Sequence, residues 1–286
     1  ILRCLVGSEM CIRDRYQGAG SSTINPYRLT NLLDCLKEQG IECSYAQGYE
    51  RVESENDVTL REEAIKVAKN SELVILCVGL TENFESEGMD RFTLDIPANQ
   101  NKLIEEICKV NKKVVIVLSN GSPILMPWKD NVQAIITGYL GGEAGAEAMV
   151  NCLTGKVNPS GKLAETYPLS LEDTPCYNYY PGTEVSVEYK ESIYVGYRYY
   201  DKISKNVLFP FGYGLSYTTF EYSNLNVEED EEDIIVRLKI KNTGKVAGKE
   251  IAQVYIGQEN SKIFKAKKEL KGFEKVELEP EEEKEA

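Results

Sequence analysis

A chain of 286 residues, 42% hydrophobic and 28% charged, has ordinary globular composition and room for about two domains, so disorder is not its default state. Its net charge of −13 repels phosphate backbones and anionic lipid heads, which argues against nucleic acid and membrane partners and leaves neutral ligands such as sugars open. The absence of histidine excludes a Ser-His-Asp or Cys-His nucleophile within the chain, and leaves carboxylates for acid/base chemistry.

No run approaches the roughly 20 apolar residues of a membrane span. Residues 1–15, Ile-Leu-Arg-Cys-Leu-Val-Gly-Ser-Glu-Met-Cys-Ile-Arg-Asp-Arg, have no continuity with the pattern that follows. They read as translated sequencing adapter and are excluded from the expected fold, the alternative being an ordinary N-terminal strand. The cysteines beyond them show no CxxC and no ligand spacing, which fits a reducing, cytoplasmic compartment and no metal site. Several of them fall on apolar faces, where a thiol packs as a small hydrophobe.

From residue 27 the periodicity predicts a helix over 27–39 ended by Gly40, a short strand over 41–45 and a helix over 59–70. A strand over 73–79, a helix over 98–110 and strands over 114–118 and 134–139 follow, then a helix over 143–153 stopped at Gly155. Near-continuous apolar strands separated by helices predict a layered α/β sandwich domain with a mainly parallel sheet, assigned to residues 16–183. Residues 156–221 are rich in Pro, Gly and Tyr without sustained periodicity, and 184–221 is taken as a connecting segment. Beyond it, period-2 alternation over 234–240, 250–256 and 265–276 predicts an antiparallel β-sandwich over 222–286, with Asn242-Thr243-Gly244 as a turn and 281–285 as a solvated acidic end.

The apolar run Leu73–Gly79 is followed by Glu-Ser-Glu-Gly-Met-Asp-Arg over 85–91, a carboxylate cluster and one arginine at the carboxyl end of a predicted strand, where open α/β sheets place their ligands. Further motifs are Ser119-Asn120-Gly121-Ser122-Pro123, Tyr139-Leu140-Gly141-Gly142-Glu143-Ala144-Gly145 and Pro159-Ser160-Gly161-Lys162-Leu163. Tyr194-Val195-Gly196-Tyr197-Arg198-Tyr199-Tyr200 and Phe209-Pro210-Phe211-Gly212-Tyr213-Gly214-Leu215-Ser216-Tyr217-Thr218 complete the set. With Glu87-Gly88-Met89-Asp90-Arg91, these six collinear motifs resemble the family 3 glycoside hydrolases of the β-glucosidase type over residues 16 to 280.

The resemblance implies a retaining, exo-acting β-glycosidase that hydrolyses terminal β-glycosidic bonds of oligosaccharides or glycosides without a cofactor. It implies Glu87 as the catalytic acid/base. It also implies an N-terminal barrel that supplies the aspartate nucleophile and most glycone contacts and is missing here, so the fragment alone is expected to be inactive. The strand that should precede Gly18-Ala19-Gly20-Ser21-Ser22 is likewise expected to be absent. The C-terminal segment resembles a partial fibronectin type III-like domain, about 65 residues against the roughly 100 of a full sandwich.

Glu85 and Glu87 could instead merely solvate the loop, and the chain could be a non-catalytic carbohydrate-binding or interaction module. Burial and a neighbouring carboxylate would favour a protonated acid at neutral pH. Asp90 and Arg91 are expected to hold the loop by charge-assisted hydrogen bonds, with direct substrate contact as the alternative. Gly141–Gly145 lacks the G-x-G-x-x-G spacing and a Walker lysine, so its glycines are read as a tight turn and close helix packing. Ser119–Pro123 lacks the G-x-S-x-G order of a nucleophile elbow. Eight of the 18 tyrosines lie between Tyr177 and Tyr200, which suits interdomain packing or sugar stacking, and Trp128 is read as core. Glucoside and xyloside stay open as substrates.

Overall fold

The computed structural model describes residues 3–7, 16–231 and 233–286. Chain contacts divide it into two compact units, residues 1–154 and 155–286.

The first unit is a five-stranded, wholly parallel sheet. Its strands are β1 (Arg3–Val6), β2 (Ser44–Ala46), β3 (Leu73–Gly79), β4 (Val114–Ser119) and β5 (Ala134–Thr137), in the order β2-β1-β3-β4-β5. Among the described residues its α-helices are α1 (Leu32–Glu38), α2 (Asp57–Lys69) and α3 (Ala98–Val110), between strands, and α4 (Gly145–Leu153), after β5. Alternate residues of each strand serve opposite faces. Ile75 and Cys77 pack with Leu5, Val117, Leu32, Leu36 of α1 and Val150 of α4, whereas Val6 meets Ala64 of α2 and Leu103 of α3 around Gly48. Cover on both faces is why β3 is apolar throughout rather than alternating.

Two expectations about the start of the chain are corrected. Arg3–Val6 is not outside the fold, and the strand ahead of Gly18–Ser22 is present, since β1 pairs with both β2 and β3 and Cys4, Leu5 and Val6 are fully buried. A slot between two parallel strands requires a short apolar segment, and Cys-Leu-Val meets that requirement whatever its origin. The remainder of the excluded stretch, 1–2 and 8–15, lies outside the described residues.

Helix α1 starts five residues later than the periodicity predicts. Asn31 caps it by accepting the Asp34 amide at 2.9 Å, and the Tyr27 amide is taken by the Glu143 carboxylate at 2.6 Å, which draws 27–30 out of helical register. Helix α4 begins at Gly145 instead of Glu143, after a turn in which the Gly145 amide donates to the Gly142 carbonyl at 3.1 Å. Strand β3 and helix α3 match their predicted bounds. At the end of β3, the buried Gln100 side chain bridges both backbone groups of Gly79, accepting its N–H at 2.8 Å and donating to its carbonyl at 3.0 Å. A Cβ on Gly79 would overlap the Ser119 carbonyl on the neighbouring strand. Gly79→Ala is therefore expected to cost about 1–3 kcal/mol by forcing β3 and β4 apart, read as a lowered midpoint in denaturant unfolding of the chain.

The second unit contains the stretch taken from sequence as a connection and two small antiparallel sheets. The connection is more ordered than expected: Tyr167 and Phe209 form a bridge, and helix α5 spans Tyr197–Ile203. One sheet orders β10 (Glu283–Glu285), β7 (Ile234–Asn242) and β6 (Phe220–Glu229), and the other pairs β8 (Gly248–Ile256) with β9 (Glu269–Leu278). Ile240 from one sheet packs on Ala252, Val276 and Leu278 from the other, the two-layer arrangement expected of a sandwich. The acidic end is exposed, as expected, and is also ordered: Glu283–Glu285 pairs with β7 beside Lys239, which lies 2.7 Å from Glu283. The turn at Asn242–Gly244 is built on the buried Asn242 side chain, which donates to the Val246 and Leu278 carbonyls and accepts from Thr218 and the Gly244 amide.

Candidate active site

The strand order reverses direction between β1 and β3, and in such sheets the crevice beside the loops that leave the carboxyl ends of the strands at this switch point is the usual ligand position. The loop after β3 carries Glu85, Glu87, Asp90 and Arg91, and the segment following β1 carries Gly18–Ser22. Glu87 is exposed, and its backbone N–H donates to the Ala19 carbonyl at 3.3 Å. The Ser21 backbone N–H donates to Glu87 Oε2 at 2.5 Å. Hydrogen bonds from the Ser21 hydroxyl and N–H hold the Glu87 carboxyl below the usual glutamate range. In this chain the Ser21 donors favour the ionised carboxylate, and Glu87 is exposed, without the burial that would favour the protonated acid.

Glu85 and Arg91 converge on Ser119–Pro123, the loop after β4. Glu85 accepts the Gly121 amide at 2.8 Å and the Ser122 hydroxyl, while Arg91 Nη1 donates to Ser122 Oγ at 2.7 Å and to the Pro123 carbonyl at 3.0 Å. A carboxylate and a guanidinium thus share one serine hydroxyl. Fully buried Asn120 completes the arrangement by donating to the Ser122 carbonyl at 2.9 Å and accepting from Thr137 at 3.2 Å. Arg91 is thereby hydrogen-bonded to the neighbouring loop, the one after β4. Asp90 lies on the exposed stretch beside Gly88, whose φ of 75° turns the chain.

The glycine cluster after β5 serves close chain approach. A Cβ on Gly141 would lie 2.9 Å from the Gly145 Cα, and the Gly142 N–H donates to the Tyr16 carbonyl at 2.7 Å. Trp128 is core, with its indole N–H on Asn101 Oδ1 at 2.9 Å. Within the second unit, Tyr197 packs on Phe211 and Tyr255 and accepts the Leu270 amide, whereas Tyr180 and Tyr189 are exposed. The seven described cysteines are free thiols. Among the described residues, no group of three His, Cys, Asp or Glu side chains could hold a metal ion, and no helix is long and apolar enough to cross a membrane.

Gly20 and Ser21 are the site residues that motif reading missed. The signal was a glycine-rich turn following a strand, interpreted only as a strand end. Its pairing with Glu87 depends on β1 and β3 being neighbours in the sheet.

The profile of the glycosyl hydrolase family 3 C-terminal domain matches residues 4–217, and that of the fibronectin type III-like domain matches 250–286. The chain belongs to glycosyl hydrolase family 3. It is 48% identical over 280 residues to thermostable β-glucosidase B of Acetivibrio thermocellus, covering 95% of this chain and 37% of that protein. It is 44% identical over 270 residues to an exo-α-(1→6)-L-arabinopyranosidase of Bifidobacterium breve, covering 94% of this chain and 36% of that one. A crystal structure of the family 3 β-glucosidase of Bifidobacterium adolescentis superposes with a TM-score of 0.95 at 41% identity, over 100% of this chain and 42% of the other. The family 3 chain described here thus spans well under half the length of these relatives.

Proposed function

We propose that the chain is the acid/base-bearing part of a retaining, exo-acting β-glycosidase of the β-glucosidase type. The observation that carries the reading is Glu87, a carboxylate on the loop after β3 at the strand-order switch point, within the Glu-Gly-Met-Asp-Arg motif. The nucleophile is assigned to the part of the full-length protein not represented here, as the extra length of the relatives supports. In the first step that carboxylate bonds to the anomeric carbon, the glycosidic C–O bond breaks, and Glu87 gives its proton to the leaving oxygen. In the second step the Glu87 carboxylate takes a proton from water as the water oxygen attacks the same carbon, and the nucleophile leaves.

The ionised form favoured by the Ser21 donors is the protonation state the second step requires. The first requires a protonated Glu87, which the negative charge of a nearby nucleophile would favour once the crevice is closed against water. No cofactor enters either step. Arg91 and Glu85 are assigned to holding the loop after β4, and the α/β domain is proposed to extend over 16–183 with 184–221 as its connection to the sandwich. Residues 1–15 are proposed to be translated adapter lodged, at Arg3–Val6, in the slot of the native first strand, which resequencing the source DNA across Tyr16 decides.

The assay for this reading uses a nitrophenyl β-glucoside with the 286-residue chain beside the full-length protein. Turnover by the full-length protein and none by the chain is expected, since without a nucleophile no glycosyl-enzyme forms. Equal turnover by the two would overturn the division of carboxylates. Turnover by neither, with sugar binding retained, would favour the non-catalytic module.

A further inference from the structure

The contact between the segment after β1 and the loop after β3 is more specific than neighbouring loops require. Ala19, Gly20 and Ser21 address Glu87 in three different ways. The Ala19 carbonyl accepts the Glu87 amide, and the Ser21 amide donates to Glu87 Oε2. Gly20, at φ 95°, provides the space between them: a Cβ there would lie 2.5 Å from both the Glu87 Cβ and Oε2. The turn is closed by the Thr23 amide on the Gly20 carbonyl at 3.1 Å. Main chain and carboxylate of Glu87 are thereby gripped by three consecutive residues 66 positions away.

We propose that Ser21, in the space left by Gly20, is a positioning residue that fixes Glu87 Oε2 and leaves Oε1 as the oxygen that exchanges protons. The inference rests on the reading of Glu87 as the acid/base. An N–H can face only an acceptor, so a proton arriving on Glu87 is directed away from Oε2. The grip also orients the carboxyl plane without burying it, so the group stays reachable from the crevice. Its lowered pKa fits the same geometry, since both Ser21 donors favour the ionised form.

The test is a pH titration of the 286-residue chain by NMR, following the Glu87 side-chain carboxyl carbon and the Ser21 amide proton. Both are expected to move with one common midpoint below the ordinary glutamate range. Glu87→Gln should abolish the titration of the Ser21 amide, Ser21→Ala should raise the Glu87 midpoint, and Gly20→Ala should return it to the ordinary range and uncouple the two signals. Amide signals from β3 and β4 report in the same spectra that the sheet is intact. A Ser21 amide indifferent to Glu87 ionisation would overturn the proposal, and that measurement needs only the wild-type chain, so it holds even if Gly20→Ala fails to fold. Because no substrate is present, that outcome is separate from failure of the acid/base reading, which depends on leaving-group dependence in the full-length protein.

Discussion

Glu87→Ala in the full-length protein is expected to slow hydrolysis of β-glycosides with poor leaving groups about 10²–10⁴-fold, the usual contribution of general acid/base catalysis. Aryl glycosides with activated leaving groups should lose far less in the first step, because their departing oxygen barely needs a proton. For those substrates the second step becomes limiting, since the same side chain must then deprotonate water. Azide, a nucleophile that needs no base, should restore turnover and yield a β-glycosyl azide if configuration is retained. Equal loss across leaving groups with no azide rescue would move the acid/base role to another residue. Glu85→Ala is an informative comparison but not a silent one: it removes the carboxylate that accepts from Gly121 and Ser122 and should loosen the loop after β4. Its loss is expected to be uniform across leaving groups and unresponsive to azide.

The second large effect is in the β-sandwich unit. Lys162, from the Pro-Ser-Gly-Lys-Leu motif, lies 3.0 Å from Glu250 of β8, the two side chains being 15% and 12% exposed. Lys162 also donates to the Gly214 carbonyl at 2.8 Å, and the Tyr222 hydroxyl donates to Glu250 at 3.1 Å. Lys162→Met strands a largely desolvated carboxylate with a single neutral donor, and should destabilise the second unit by about 3–5 kcal/mol. The double change Lys162→Met with Glu250→Leu removes both charges and should recover much of that loss. Hydrogen exchange of the β8 and β9 amides measures the effect without interference from the first unit. A Lys162→Met chain within about 0.5 kcal/mol of wild type, the range of ordinary surface substitutions, would show the pair to be solvated in practice.

What was legible in the sequence followed from how local each signal is. Strand β3 and helix α3 were readable to the residue because an unbroken apolar run ends at Gly79 and a 3.6-residue period begins after Pro97. Helix α1 was misjudged because its true start depends on Glu143, more than a hundred residues away, capturing the Tyr27 amide. Strand β6 was missed for a different reason. Its apolar residues fall at Phe220 and Tyr222, then at Leu225 and Val227, and the shift of phase coincides with the break in register between Ser223 and Asn226. A search for strict alternation sees two fragments too short to count. Residues 1–15 show no continuity with the pattern that follows and read as translated adapter, yet four of them fill a place that backbone pairing requires.

The site divides along the same line. Glu87, Asp90 and Arg91 stand in one contiguous motif and were found through it. The partner of Arg91, the Ser122–Pro123 turn, was quoted as a separate motif with no reason to join the two. Ser21 was invisible as a partner because nothing local links it to Glu87; only the neighbouring positions of β1 and β3 in the sheet do. Motif reading therefore found Glu87 and missed the residues that hydrogen-bond to it.

The position of β1 also bears on how the chain folds during synthesis. Lying ahead of both neighbours in the chain, it must wait for them, since Leu5 pairs with Tyr45 on one side and Ile75 on the other. Parallel pairing of that kind closes long loops before any contact rewards them, which makes it slow compared with hairpins. Until β3 has left the ribosome, β1 is an unpaired apolar edge, the kind of species that holdase chaperones capture and that aggregates when they do not. Helix α2 and strand β3, adjacent in the chain, form the natural early nucleus, with β1 inserting afterwards. The grip of Ser21 on Glu87 can close only after that insertion, so the site matures last.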